Sequence, residues 1–226
     1  MPSASPDIPR RLPRGTHGLD RDVVEASQRT RLLEAVGRAV AERGYAAATI
    51  DDVVRRAGVS KKTFYEHFAD KQDCFLAAYE AASEELLDRV SEAHAVHDDW
   101  AERTRAGVRA YLRWLAAEPA LARVFLIEVA AAGPQALERR ERLRDRYAEM
   151  VRERRGAQPE LPFEVFHAVV AAVDDVVVRH IRESGAEDLP ALEPVLVYLQ
   201  TALLSAERLA EPVNCSNQGG RSECGH

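Results

Sequence analysis

The stretch Thr49-Ile-Asp-Asp-Val-Val-Arg-Arg-Ala-Gly-Val-Ser-Lys-Lys-Thr-Phe-Tyr-Glu-His-Phe68 decides the fold. Thr49 precedes Ile50 with Asp52 three residues on, a near capping box that starts a helix. Ile50, Val53, Val54 and Ala57 give it one apolar face, and Gly58 permits a sharp turn after it. Ser60 is the next N-cap, with Val59 placed to staple against Phe64. Phe64 and Phe68, four residues apart, supply the inner face of the following helix. Burying both rings leaves Lys61, Lys62, Thr63, Tyr65 and His67 outside. Asp70, with Asp73 at the third position, caps a fourth helix. Three capped starts so close together predict short helices joined by tight turns, a helix-turn-helix.

Upstream, Leu32, Leu33, Val36, Ala39 and Val40 recur at three-to-four spacing, predicting a helix from about Val23 to Arg43 that stops at Gly44. Residues 1–21 carry four prolines with Arg10, Arg11, Arg14 and Arg21, and read as a mobile arm, either a solvated leader or a basic segment touching DNA. Downstream the helices lengthen to about 71–97, 99–117, 119–132, 134–155, 162–184 and 190–210, broken at Asp98–Asp99, Pro119, Gly133–Pro134, Gly156 to Pro162 and Gly185 to Pro190. From about residue 212 the chain turns polar and reads as a disordered tail. The expected fold class is all-α: a head at 22–70 and a helical body at 71–211.

Net charge is −6, which on its own argues against a polyanionic partner, but it is unevenly spread. Residues 1–73 hold 13 Lys/Arg and 11 Asp/Glu, so the acid excess lies in the body. The chain has 28 arginines and only three lysines, Lys61, Lys62 and Lys71, all in the head. An acidic body with a mildly basic head suits a protein that presents one end to DNA. The longest apolar run, Val124 to Ile127, is interrupted by Glu128, and prolines occupy the place of a secretory core, so a cytoplasmic protein without a membrane partner is expected. Cys74 sits alone in a helical pattern, and Cys215, Cys224 and His226 have a spacing unlike a zinc site. No metal or cofactor is expected.

Over about residues 28–90 the chain resembles the tetracycline-repressor (TetR) family of bacterial regulators, above all in Ala57-Gly-Val-Ser60, Thr63-Phe-Tyr65, His67-Phe68 and Asp70-Lys71, with Gly44-Tyr45 also fitting. The resemblance implies a sequence-specific DNA-binding protein, a homodimeric repressor released from an inverted-repeat operator by an unknown small-molecule effector. It places Ser60, Lys61, Lys62 and Thr63 at bases and adjacent phosphates, Tyr65 and His67 at phosphate, and Thr49 and Lys71 near the DNA backbone. Lysine can bond guanine or serve as a phosphate counterion, and the sequence leaves both roles open. Thr63 differs from the residue many members carry, so no operator sequence can be borrowed.

The resemblance also implies that the last two long helices pair with those of a second copy, and their broad apolar surfaces at 163–181 and 192–206 are compatible with it. Tyr111, Trp114, Phe125, His167 and Asp174 are the candidate effector residues. Aromatics at helical spacing serve equally as core, and His167 with Asp174, seven apart on an apolar stripe, could be a satisfied internal pair. Two alternatives stay open: an activator of the same fold, and a helical enzyme using His167 and Asp174 as acid and base.

Overall fold

The computed structural model describes residues 21–155 and 161–205. The arm at residues 1–20, the end of the helix expected to reach 210, and the tail with Cys215 and Cys224 lie outside them. Among the described residues every regular element is helical: α1 (Arg21–Arg43), α2 (Ile50–Ala57), α3 (Lys61–His67), α4 (Lys71–Ala95), α5 (Trp100–Ala117), α6 (Pro119–Leu126), α7 (Pro134–Arg155), α8 (Phe163–Ser184) and α9 (Glu193–Leu204). Two 3-10 segments, Glu128–Ala132 and Leu189–Leu192, precede α7 and α9.

The caps anticipated from sequence are in place. The Thr49 hydroxyl accepts from the Asp52 N–H at 3.2 Å while the Asp52 carboxylate accepts from the Thr49 N–H at 3.1 Å. The hydrogen bond from the Thr49 hydroxyl, then that from its N–H, Arg55 and Arg43 hold the Asp52 carboxyl at about 2 despite its burial. Gly58 ends α2 at φ 64°, ψ 38°, a left-handed conformation that a β-carbon would disfavour. Ser60 and Asp70 then accept from the N–H groups of Thr63 and Asp73. These turns bring Phe64 and Phe68, both buried, into the same core cluster as Leu32, Val36, Val53 and Ala57. The Arg31 guanidinium donates to the Ala57 carbonyl at 3.0 Å, tying α1 to the end of α2.

α1 packs on α4 and α6 as well as on the head, so one apolar core runs from head into body. In the body α4 lies between α5 and α7, α7 carries α8, and α9 closes over α5 and α8. Several boundaries differ from the sequence expectation, and three of the differences bear on the packing. α1 starts at Arg21, two residues early, taking that arginine from the arm. The helix expected over 119–132 breaks at Ile127 into the 3-10 segment, which brings the Glu128 carboxylate 3.1 Å from the Tyr45 N–H of the head. The helix expected from 190 becomes α-helical only at Glu193, because Pro194 has no N–H for an earlier turn. Among the described residues no helix is long and apolar enough to cross a membrane.

Candidate nucleic-acid interface and effector cavity

Around α3 the structure sets out the predicted side chains as follows. Thr49, Ser60, Lys61, Lys62 and Tyr65 are exposed, and Thr63 and His67 are half-buried. Tyr65 is 57% exposed and stands edge-on to Phe64 at 5.5 Å, so the hydroxyl-bearing ring is outside and its neighbour inside. The Ser60 and Thr63 hydroxyls lie 3.0 Å apart. His67 Nε2 is 3.5 Å from the Gln28 side-chain oxygen.

The three lysines have three different settings. Lys62 is 88% exposed, with Glu66 at 3.9 Å as its loose partner. Lys61 Nζ sits 2.7 Å from the Asp51 carboxylate, whose hydrogen bond and charge raise the Lys61 pKa. The sequence reading missed this carboxylate, which lies ten residues back in the first turn of α2. Lys71 points inward: its ammonium donates to the carbonyls of Tyr45 at 2.7 Å and Ala48 at 2.9 Å and lies 4.4 Å from the Tyr45 ring centre. It pins the connector between α1 and α2, a structural use that the sequence did not disclose.

In the body, helices α4 to α9 enclose a cavity of about 70 Å³. Of the five candidate effector residues, Tyr111, Phe125 and Asp174 line it. Asp174 accepts from the Tyr111 hydroxyl at 3.1 Å and from Arg144 Nε at 3.0 Å, with Arg140 at 3.7 Å. His167 is elsewhere. Its Nδ1 lies 2.8 Å from Asp145 and its Nε2 3.7 Å from Glu141, both on α7. Seven residues return to the same side of a helix but travel about 10 Å along its axis, which carries His167 out of the cavity. The two groups therefore form no acid–base pair, and the enzyme alternative loses its site. Trp114 also lies outside the cavity, against Phe125 at 5.7 Å in an adjoining groove.

Sequence reasoning missed Tyr79, His94, Arg140, Arg144 and Tyr147, which line the cavity too. Arg140 and Arg144 were unreadable in an arginine-rich helix whose other charges pair at the surface, such as Arg152 with Glu149 and Arg146 with Glu84. His94 is buried, and burial, followed by the charges of Arg154 and Arg103, lowers its pKa to about 4. Its ring lies against the bare backbone of Gly107, where a β-carbon would come within 1.9 Å of His94 Nε2.

This histidine has a consequence for acid stability. An unfolded histidine takes a proton near pH 6.5, whereas folded His94 refuses it until about 4. Above 6.5 both states are neutral, so nothing is lost. As pH falls from about 6.5 towards 4 the unfolded state gains the proton and stability declines. His94→Gln should therefore flatten the melting temperature between pH 7 and 4.5 relative to wild type. An unchanged slope in the variant would refute the assignment.

Similarity to known proteins fits this geometry. A family profile described as "Bacterial regulatory proteins, tetR family" matches residues 32–78, which run from α1 through the helix-turn-helix into α4. The transcriptional activator FasR of Mycolicibacterium smegmatis is 35% identical over 88 residues, 39% of this chain and 40% of that protein, so the match spans less than half of the relative's length. The transcriptional repressor AcnR of Corynebacterium diphtheriae is 26% identical over 191 residues, covering 80% of this chain and 93% of the relative. Among solved structures, FadR of Bacillus subtilis in complex with stearoyl-CoA superposes with a TM-score of 0.65 at 17% identity, over 78% of this chain and 97% of that one. The profile lies on the capped, lysine-bearing turn, so residues 32–78 of this chain match the tetR family of DNA-binding transcriptional regulators, and the chain as a whole is similar to such regulators.

Proposed function

We propose that the chain acts as a homodimer that grips an inverted-repeat operator through α3 and is released by a small-molecule effector. The observation that carries the DNA contact is the division of α3, with Phe64 buried and Lys61, Lys62 and Tyr65 left exposed. In this reading Ser60, Lys61, Lys62 and Thr63 meet bases and adjacent phosphates, and Thr49, Tyr65 and His67 meet the backbone. Lys71 acts indirectly, by fixing the α1–α2 connector beside it.

Dimerisation through α8 and α9 is supported by what α9 leaves uncovered. Val195, Tyr198 and Leu203 are 54%, 70% and 48% exposed, an apolar stripe at helical spacing that a second copy would bury. Two heads so joined would meet successive major grooves about 34–36 Å apart, or a multiple of that. Effector binding within the body is supported by the cavity around Asp174 and by the stearoyl-CoA held by FadR of Bacillus subtilis, a protein of the same fold.

Transmission has a visible route in this reading. Phe125 and Leu126 line the cavity, and the segment that follows touches the head through Glu128 to the Tyr45 N–H and the first turn of α4 through the Ala132 carbonyl to Gln72. An effector that shifts α6 shifts both contacts. Glu128→Ala should leave the fold intact and reduce the coupling between effector and operator by about 0.5–2 kcal/mol. Titrations of operator affinity with and without effector measure it, and identical coupling in the variant rules this route out.

The overall reading is tested by purified protein on its own upstream DNA. A sequence-dependent, salt-sensitive complex is expected, and its absence would sink the reading. Activation remains a second reading because FasR, a relative 35% identical over 88 residues, is a transcriptional activator. A reporter that falls after deletion of the gene selects activation, and one that rises selects repression.

A further inference from the structure

The body cavity is too small for most effectors as it stands. Its 70 Å³ is less than half of an apolar cavity of about 150 Å³ that takes up benzene, so an organic effector must displace part of its wall. One of its walls is thin. Tyr79 and Phe125 stack with ring centres 4.7 Å apart and planes 19° from parallel, and the same two residues line a groove of about 960 Å³ on their other side. α1, α4, α5 and α6 form that groove, and Leu33, Ala82, Ala110, Trp114 and Leu121 supply its apolar surface.

Inside the cavity, three lining side chains keep polar atoms without hydrogen-bond partners among the described residues, His94 Nδ1 and two donors, Arg140 Nε and the Tyr147 hydroxyl, all shut off from solvent. A buried donor left unpaired is costly, and a ligand oxygen would relieve both. The rest of the cavity lining is mainly apolar, with Leu86, Val90, Leu143 and Met150 among it. A polar anchor at the cavity and an apolar run across the ring pair describe a single-chain amphiphile.

We propose that the Tyr79–Phe125 pair is a movable partition, and that cavity and groove form one elongated site for an alkyl carboxylate. The carboxylate sits on Arg140 and Tyr147, and the chain crosses between the parted rings onto the groove surface beneath Leu33 of α1. This deepens the effector reading given above and rests on it. Chain length then decides the output: a short acid pushes the rings aside and stays on the cavity side of them, while a long one crosses between them and reaches the first helix of the head. Van der Waals packing of the chain on Trp114 makes that residue the reporter.

The chain has two tryptophans, so Trp100→Phe leaves Trp114 as the single fluorophore. Hexadecanoate, octanoate and hexadecan-1-ol are titrated into this protein below their aggregation limits. Hexadecanoate should bind at least tenfold more tightly than octanoate and shift the Trp114 emission, which octanoate leaves unmoved. Hexadecan-1-ol should bind at least tenfold more weakly than hexadecanoate, as should hexadecanoate to the Arg140→Gln/Tyr147→Phe variant. Ala82→Phe, which fills the groove, should abolish the hexadecanoate preference and keep octanoate binding. Calorimetry on unmodified protein gives an independent reading: the heat-capacity change of binding should be more negative for hexadecanoate than for octanoate. Equal heat-capacity changes, hexadecanoate binding without a Trp114 shift, undiminished binding to Ala82→Phe, or no binding overturns the proposal. Binding as described without any change in operator affinity would instead leave the site standing and remove its regulatory role.

Discussion

Replacing Lys61 and Lys62 together by alanine should weaken promoter binding by about 2–4 kcal/mol, roughly 30- to 1,000-fold, with the fold unchanged. Both side chains are more than half exposed and make only ion pairs at the protein surface, with Asp51 and Glu66, so their removal costs the native state little. Their loss falls on the complex, where each ammonium displaces counterions from DNA. The dependence of log affinity on log salt should fall by about two charges if both lysines meet phosphate, and by less if one reads a base. Asp51 sharpens the test, because its carboxylate, 2.7 Å from Lys61, competes with DNA for the same ammonium. Asp51→Asn removes that competitor and a repelling charge, so binding should tighten while the double alanine variant weakens. Anisotropy titrations over a salt series measure all three proteins. Wild-type affinity in the lysine variant would mean that α3 does not face DNA.

The second large effect concerns the ring that keeps those lysines outside. Phe64 is fully buried where α1, α2 and α3 meet, and Phe64→Ala should cost about 3–5 kcal/mol. A seven-residue helix cannot hold its shape without that contact, because isolated helices this short are unstable in water. The head shares its core with α4 and α6, so denaturant unfolding should report the loss in the whole chain's midpoint and not only in DNA binding. A midpoint within about 1 kcal/mol of wild type would show that the ring is not the keystone of the head.

The head could be read from sequence because its determinants are local. Thr49, Ser60 and Asp70 each announce a helix by bonding an amide three residues on, and Gly58 announces the turn between two of them. None of these needs a distant partner. The body site is different in kind. Asp174 was found because a polar group on an apolar stripe stands out and Tyr111 as an aromatic at helical spacing, whereas Arg140 and Arg144 hide among the charges of α7. Only the packing of α7 between α4 and α8 selects those two to meet Asp174. His167 shows the opposite failure, since helical phase put it on the right stripe but gave no information about depth. Likewise Glu128 and Lys71 serve contacts 83 and 26 residues away, for which no local signal exists.

The unequal surroundings of the three lysines give the chain a built-in chemical footprint. An amine-directed reagent should modify Lys62 fastest, Lys61 more slowly because its nitrogen is engaged with Asp51, and Lys71 slowest because its ammonium is clasped by two carbonyls. With so few reactive side chains, mass spectrometry of the acylated protein can follow each one separately. Bound duplex would shield the first two and spare the third, so Lys71 serves as the internal standard against which protection is counted.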